Sequence, residues 1–472
     1  MKNILSAFLL TFTSALASAQ GYEIKVTLKP FKNEKIYLAY HYGDIKGLAD
    51  SAMLDGSSNA VFKGEKPLPP GIYMMVSPAK VILFEMLIDK LQKFAVSADT
   101  ADLKKVVYTG SPDNTAFRAY QNFTDEKGKI LNQLQGKLKA SGDAAEKENL
   151  QQQMRALSKE IENYRTDYVK KNPSGMLSAL FNALREPVVP PANQHPGGKY
   201  DSAFAYRYYK SHYWDGIHFG DDRLVRTPFF KPKLKRYYEQ LVSPEPDSII
   251  VETDYMLQEA TGTQEMFKFL LSEFIDKYIN PEFMGQDKVF IYLFEKYINA
   301  GQATWLSEKQ RKYINERAYS LMANQLGLPA SPLDLVDTTG KKRPLYEVKA
   351  PYTVVVFWDP TCGHCKEVVP KVDSMYNAKW KSMGIAVYGV MVDGGLPAWK
   401  TFINEHKLTG WTHVYQTEAD READYNAGRP NYRQLYDVYQ TPVIYLLDEN
   451  KRIVAKKLTY DQVDKVIEMK KK

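Results

Sequence analysis

The stretch FWDPTCGHCKEVVP, residues 357–370, contains the only two cysteines of this 472-residue chain, Cys362 and Cys365. Three explanations for this pair are possible: a metal site, a structural disulfide or a redox pair. Zinc needs four ligands, or three and a water, and the chain has no second cysteine pair. A disulfide between residues three apart closes almost no loop, so it would stabilise the fold very little. The spacing therefore predicts a redox pair.

The flanks of the two cysteines favour this interpretation. An apolar strand pattern ends at Trp358, and a helix pattern begins at the cysteines. Cys362 is therefore expected at a helix N-terminus, where unpaired N–H groups and the helix dipole lower a thiol pKa. Cys365 lies one turn further on, within disulfide reach of Cys362. A charged His364 would favour the Cys362 thiolate further.

The segment VVVFWDPTCGHCKEVVP (354–370) resembles the active-site segment of thioredoxin-fold proteins of the AhpC/TSA-thioredoxin superfamily, in particular their TlpA/ResA/DsbE-like envelope branch. The segment YQTPVIYL (439–446) matches the cis-proline that faces the cysteine pair in that family, and residues 326–348 look like its N-terminal hairpin. The resemblance covers residues 327–472. It implies Cys362 and Cys365 as catalytic residues, no cofactor and no metal. The supporting residues that it implies are His364, Trp358, Thr441 and Pro442.

Two positions depart from the family pattern. Thioredoxin keeps a buried Asp six residues before its first cysteine, where this chain has Val356. ResA-like proteins keep a Glu three residues past the second cysteine, where this chain has Val368. The usual proton acceptor for the second cysteine is therefore absent, and Asp359, Glu367 or water are the candidates to replace it.

The N-terminus has the three parts of a secretory signal peptide. A basic start with Lys2 precedes an apolar run at 4–16, and Ala17-Ser18-Ala19 provides the small residues before a cleavage site. We expect cleavage before Gln20. The apolar run is too short to span a bilayer, and the mature chain is expected in the periplasm or cell envelope without a membrane-spanning segment.

The charge pattern gives no indication of nucleic-acid binding. The formal net charge of +7 falls to +6 once residues 1–19, with their single lysine, are removed. Basic residues alternate with acidic ones, whereas a nucleic-acid footprint needs clustered Lys and Arg. Nucleic acid is therefore not an expected partner.

Length and changes of pattern predict a multidomain chain. After the signal peptide (1–19), several short alternating segments indicate a β-sandwich-like domain at 20–112. Residues 113–326 read as a mostly α-helical region with a helical hairpin, in which Asp143 and Glu146 suggest a capping box and Ser174 a helix cap. Strands alternating with helices, the last of these helices near Tyr432–Tyr439, indicate an α/β thioredoxin-like domain at 327–472.

An aromatic-rich segment at 205–222 holds His212 and His218 near three aspartates, Asp215, Asp221 and Asp222. These residue types could bind a metal, but their spacing matches no known ligand pattern, and aromatic clusters in helical regions are usually core. We expect a packing role.

The leading functional hypothesis is a thiol-disulfide oxidoreductase that exchanges disulfides with cysteine-containing envelope proteins. The resemblance implies a reductase supplied by a membrane thiol electron donor. A non-catalytic binding protein that retains the fold is the alternative. A peroxidase is disfavoured, because peroxiredoxins carry Pro and Thr/Ser where this chain has Val355 and Asp359.

Overall fold

A computed structural model describes residues 21–471, so the predicted signal peptide lies outside the described part of the chain. The described residues divide into two compact units. One contains residues 21–241 with 258–267, and the other contains 242–257 with 268–471. None of the described helices is both long and apolar enough to cross a membrane.

The N-terminal part is the predicted β-sandwich. Its two four-stranded sheets have the orders β4-β1-β7-β8 and β3-β2-β5-β6. Both sheets contribute to one core, because alternate residues of β1 are buried and pack with β2 and β5 side chains. The strands are β1 Tyr22–Lys29, β2 Lys35–Tyr42, β3 Ile45–Met53, β4 Asn59–Gly64, β5 Gly71–Val76, β6 Ile82–Ile88, β7 Lys93–Asp99 and β8 Val107–Thr109.

The predicted helical hairpin follows, as α1 (Pro112–Ala140) and α2 (Ala144–Lys171). Asp143 caps α2 by accepting a hydrogen bond from the Ala145 N–H. The predicted capping box is wrong, because the Glu146 carboxylate instead accepts from the Ser141 hydroxyl. The Ser141 hydroxyl in turn accepts from the Asp143 N–H that the box would have used.

The remaining helical region is less regular. The next helix, α3, is capped by Gly175 and not by Ser174 as predicted, because it begins two residues later, at Met176. His212 stacks on Tyr208 at 4.0 Å between ring centroids. No cluster suited to a metal ion occurs among residues 21–471. The helices are α3 Met176–Ala183, α4 Ser202–Ser211, α5 Phe230–Gln240, α6 Pro246–Glu259, α7 Glu265–Tyr278, α8 Asp287–Leu293 and α9 Glu308–Met322.

The C-terminal part is the predicted α/β domain, built on a five-stranded sheet with the order β11-β10-β9-β12-β13. Strands β10 and β11 run parallel to their neighbours, and β12 runs antiparallel to the central β9. The strands are β9 Tyr352–Trp358, β10 Ala386–Met391, β11 Thr412–Tyr415, β12 Val443–Asp448 and β13 Ile453–Lys456, and the helices are α10 Gly363–Met375, α11 Leu396–Glu405, α12 Glu418–Asn426, α13 Tyr432–Leu435 and α14 Tyr460–Lys471.

Each face of β9 is buried in its own core. Val354, Val356 and Trp358 pack in the core that contains Cys365 of α10, and the intervening Val355 and Phe357 belong to the other core. A strand buried on both faces needs a continuous apolar sequence, and TVVVFW supplies it. This arrangement confirms the fold predicted for the C-terminal region.

One predicted helix is much shorter than expected. The pattern near Tyr432–Tyr439 indicated a helix, but α13 ends at Leu435. Asp437 has a φ of 51°, in the left-handed region that a helix cannot include. The chain therefore leaves the helix there and continues as the loop 436–442 into β12.

Candidate redox site

The two cysteines lie where β9 ends and α10 begins. Cys362 is the residue immediately before the first helical residue, Gly363, so it is the N-cap of α10. Cys365 lies in the first turn. The cysteines are free thiols, one half-buried and the other fully buried. The predicted placement at a helix N-terminus is confirmed.

The pKa of Cys362 lies below its usual value. The main cause is the backbone N–H of Cys365, which is directed toward the Cys362 sulfur. A side-chain hydrogen bond with Thr441 lowers this pKa further. The sulfur is 3.5 Å from the Thr441 carbonyl oxygen, to which Cys362 can donate only while it is protonated. Burial opposes ionisation only slightly at this half-exposed position. The site therefore favours a thiolate at Cys362.

The second cysteine has the opposite environment. Burial raises the pKa of Cys365 to about 11, because a desolvated thiolate is unfavourable. The Cys365 sulfur accepts a hydrogen bond from the Asp359 N–H at 3.4 Å. One turn of helix thus carries a thiol that ionises easily and a thiol that remains protonated.

The loop before β12 completes the site. The Thr441–Pro442 peptide bond is cis, as the resemblance implied. This loop brings the Thr441 carbonyl to Cys362 although 79 residues separate the two in sequence. The sequence motif at 439–446 therefore does meet the cysteine motif in space.

The other two supporting residues occupy different environments. His364 is exposed on the first turn of α10. Trp358 is fully buried, with its ring centroid 5.2 Å from that of Phe402. Their roles in exchange stay predictions.

The positions that depart from the family pattern hold no carboxylate near Cys365. Val356 is fully buried, and Val368 is half-buried on α10. The Asp359 carboxylate accepts hydrogen bonds from the N–H and hydroxyl of Thr361, so its backbone N–H is the group that faces Cys365. Glu367 is exposed.

A buried histidine, His413, lies level with Val356 across the sheet, two strands away. Gly389 of β10 pairs with Val356 on one side and with His413 of β11 on the other. Burial lowers the pKa of His413 to about 4, and its Nε2 is 2.8 Å from the Leu408 carbonyl oxygen. The imidazole is therefore neutral at physiological pH. A lone histidine in a strand gave no signal in the sequence that would have identified it.

The loop that presents Thr441 is anchored by α9 of the helical region. The buried Arg317 guanidinium forms an ion pair with the buried Asp437 carboxylate. Burial alone would raise the pKa of Asp437, but the hydrogen bond from Arg317 and the charge of Lys457 hold that pKa below its usual value. Ser320 donates to the Gln434 carbonyl from the same helix. This anchor was missed in the sequence, because 120 residues separate Arg317 from Asp437.

Two family models match the chain. The AhpC/TSA family matches residues 326–456, the part that contains the cysteine pair and the Thr441–Pro442 loop. A domain of unknown function, DUF5106, matches residues 143–324, which include α9. No curated protein matches the chain.

Solved structures also match part of the chain. A domain of a possible thiol-disulfide isomerase from Cytophaga hutchinsonii is 36% identical, with 31% of this chain and 92% of that one covered and a TM-score of 0.27. The thioredoxin domain of a thiol-disulfide oxidoreductase from Bacteroides vulgatus is 30% identical, with 30% and 96% covered and a TM-score of 0.26. A thiol:disulfide interchange protein from a Bacteroides species is 30% identical, with 30% and 91% covered and a TM-score of 0.27. Residues 326–456, which contain both cysteines and the Thr441–Pro442 bond, are therefore assigned to the AhpC/TSA family by its family model.

Proposed function

We propose that the protein is an exported reductase of the cell envelope that reduces disulfides of other proteins through Cys362 and Cys365. The observation that carries this proposal is the placement of a partly exposed Cys362 at the N-cap of α10 and a fully buried Cys365 within the first turn. This placement lowers the pKa of the first thiol and raises that of the second. A low pKa gives the attacking thiolate, and a buried protonated partner resolves the intermediate without competing for the first attack.

The reaction has two exchange steps. The Cys362 thiolate attacks one sulfur of the substrate disulfide, which breaks that bond, forms a mixed disulfide and releases the other substrate sulfur as a thiolate. Cys365 then attacks the Cys362 sulfur, and its proton passes to the released substrate thiolate. The second substrate sulfur leaves, so the substrate disulfide gains two electrons and the Cys362–Cys365 pair loses two.

Thr441 and Pro442 support substrate binding in this proposal. The Thr441 carbonyl lies 3.5 Å from the attacking sulfur, so a substrate chain that approaches Cys362 must pass this loop. Backbone groups beside the cysteine can pair with an extended chain in the manner of an added strand. Trp358 supports the end of β9 from within the core, and His364 adds positive charge near Cys362 when it is protonated.

The reductive direction and the location rest on the cysteine motif and on the N-terminal residues. Cys-Gly-His-Cys is also the motif of protein disulfide isomerase, so we expect a potential between about −270 and −180 mV, the thioredoxin and isomerase values. Such a pair remains reduced in an oxidising compartment only if a membrane thiol donor supplies electrons. The signal-like residues 1–19 support export.

A trapping experiment in the native bacterium tests the proposal. Cys365→Ser removes the resolving thiol, so envelope proteins should remain covalently bound to Cys362 and be released by dithiothreitol. The Cys362→Ser variant is the matched control and should trap nothing. Equal amounts of bound protein in the two variants would contradict the assigned roles.

The redox state in living cells tests the direction. Acid quenching followed by thiol alkylation should show the wild-type pair mostly reduced. A pair that is fully oxidised at steady state would contradict the reductase and favour an oxidising role.

A further inference from the structure

A cavity of about 470 Å³ adjoins the redox site. Pro442 and Val368 line it on the side of the cysteine pair, and Tyr439 and Leu458 extend its apolar wall. Asn280 and Arg317 line its other side. The last two residues belong to the region matched by the domain of unknown function, so two parts of the chain enclose this cavity.

The helical wall of the cavity is fixed in place. One nitrogen of the Arg317 guanidinium donates to the Ile279 carbonyl at 3.1 Å and to Oδ1 of Asn280 at 3.0 Å. The other terminal nitrogen donates to Asp437, and the guanidinium carbon lies 5.4 Å from the centre of the Tyr439 ring. The same arginine therefore holds both Asn280 and the loop 436–442, which line this cavity.

A second cavity of about 540 Å³ lies beside the first. The two share Asn280, Gln440, Lys457 and Leu458 in their walls. The second cavity reaches two exposed apolar side chains, Phe283 (57% exposed) and Met284 (40% exposed). These two adjoining cavities, together called the cleft, are lined from the cis-proline Pro442 to the exposed apolar residues Phe283 and Met284 of the helical region.

We propose that this cleft binds the substrate polypeptide next to the attacked disulfide, and that the helical region supplies one of its walls. The inference rests on the proposed function, because it assigns a substrate class to the same site. A cleft with two adjoining compartments suits an extended chain, whose successive side chains occupy successive pockets. The apolar residues at both ends favour apolar substrate side chains, and the Asn280 and Gln440 amides can satisfy main-chain groups between them.

The role assigned to the helical region separates two kinds of substrate. A small disulfide needs access only to the Cys362 sulfur, whereas a polypeptide also needs the cleft. Reduction of insulin, a polypeptide probe, should therefore depend on the helical wall. Reduction of dithiobis(nitrobenzoate), a small probe, should not.

The test replaces Asn280 by Trp in the full chain, with Asn299→Trp as the matched control. Both asparagines are exposed near helix ends of the same region, but only Asn280 lines the cleft. Asn280→Trp should raise KM for insulin by about tenfold, as expected when a binding contact is lost with the chemical step intact. Its rate with dithiobis(nitrobenzoate) should remain within about twofold of the wild-type rate, and Asn299→Trp should match the wild type with both probes.

A second variant tests the cleft independently, so that the test does not depend on the folding of Asn280→Trp. Phe283→Ser removes an exposed side chain at the far end of the cleft and should raise KM for insulin by about threefold, with the small probe unaffected. Wild-type KM values for insulin in both variants would overturn the proposal that the cleft binds the polypeptide. An equal loss with both probes would also overturn it, because the effect would then lie at the cysteines. A wild-type protein inert toward both probes would overturn the proposed function itself.

Discussion

The substitution Arg317→Met should destabilise the second unit by about 3 kcal/mol. Arg317 and Asp437 are 5% and 2% exposed, and removal of one partner of a buried ion pair costs about 3–5 kcal/mol. Lys457 still pairs with Asp437 in the variant, which places the expected loss at the lower end. A loss of that size should lower the melting temperature by about 6–12 °C for a unit of this length.

A double-mutant cycle isolates the ion pair from the packing of the arginine stem. Asp437→Asn leaves Arg317 without its carboxylate and should lower the free energy of unfolding by a similar amount. The double variant should lose at least about 1.5 kcal/mol less than the sum of the two single losses. Urea unfolding followed by tryptophan fluorescence reports mainly on this unit, since five of the six tryptophans lie in it. Losses that add to within about 0.5 kcal/mol would refute the claim that α9 anchors the loop before Pro442.

Three further predictions concern the redox domain. The pKa of His413 is lowered from 6.5 to about 4. Between pH 6.5 and pH 4, the unfolded chain therefore binds a proton at His413 that the folded chain does not bind. Unfolding free energy should therefore fall by up to about 3 kcal/mol as the pH drops from about 6.5 to 4, and urea titrations of His413→Gln should show a flatter dependence. Gly394→Ala should weaken the site, because a Cβ there would lie 2.5 Å from Oδ1 of Asp359 at a φ of +93°. Slower insulin reduction and a lower melting temperature are expected, and unchanged values for both would contradict this reasoning. Finally, the rate at which iodoacetamide alkylates Cys362, measured against pH, should give a pKa below the free value of about 8.5. The same titration of Cys365 in the Cys362→Ser variant should give a pKa well above that value. Similar titrations of the two thiols would show that the site does not differentiate them.

The placement of the cysteine pair at a helix N-terminus and the cis Thr441–Pro442 bond could be predicted from the sequence because their determinants are local. The cysteine spacing, the apolar strand before it and the Thr441–Pro442 dipeptide each require only a few neighbouring residues. The strands of the sandwich were predicted for the same reason, since alternation along β1 and β7 reflects one buried face.

Two of the elements that were missed bury little. Strand β3 contains no fully buried residue and pairs only with β2, so its sequence shows no apolar alternation. Helix α12 also contains no buried residue. Helix α14 carries Val463 and Ile467, a buried pair at helical spacing, and this signal was present but overlooked.

The anchor of the site could not be predicted from local pattern. Arg317 belongs to a polar, amphipathic helix, and nothing near it in sequence indicates a partner 120 residues away. The contribution of the helical region to the redox site is therefore a property of the tertiary structure. The same applies to Asn280, an ordinary exposed asparagine in the sequence.

The most direct test of the account is the reaction of the purified, reduced protein with insulin in a single turnover. The wild type should reduce insulin and end with a Cys362–Cys365 disulfide, as intact mass and peptide mapping would show. Cys365→Ser should stop at a mixed disulfide between Cys362 and insulin, and Cys362→Ser should not react on the same timescale. Insulin reduction by Cys362→Ser at the wild-type rate would contradict the claim that Cys362 is the nucleophile.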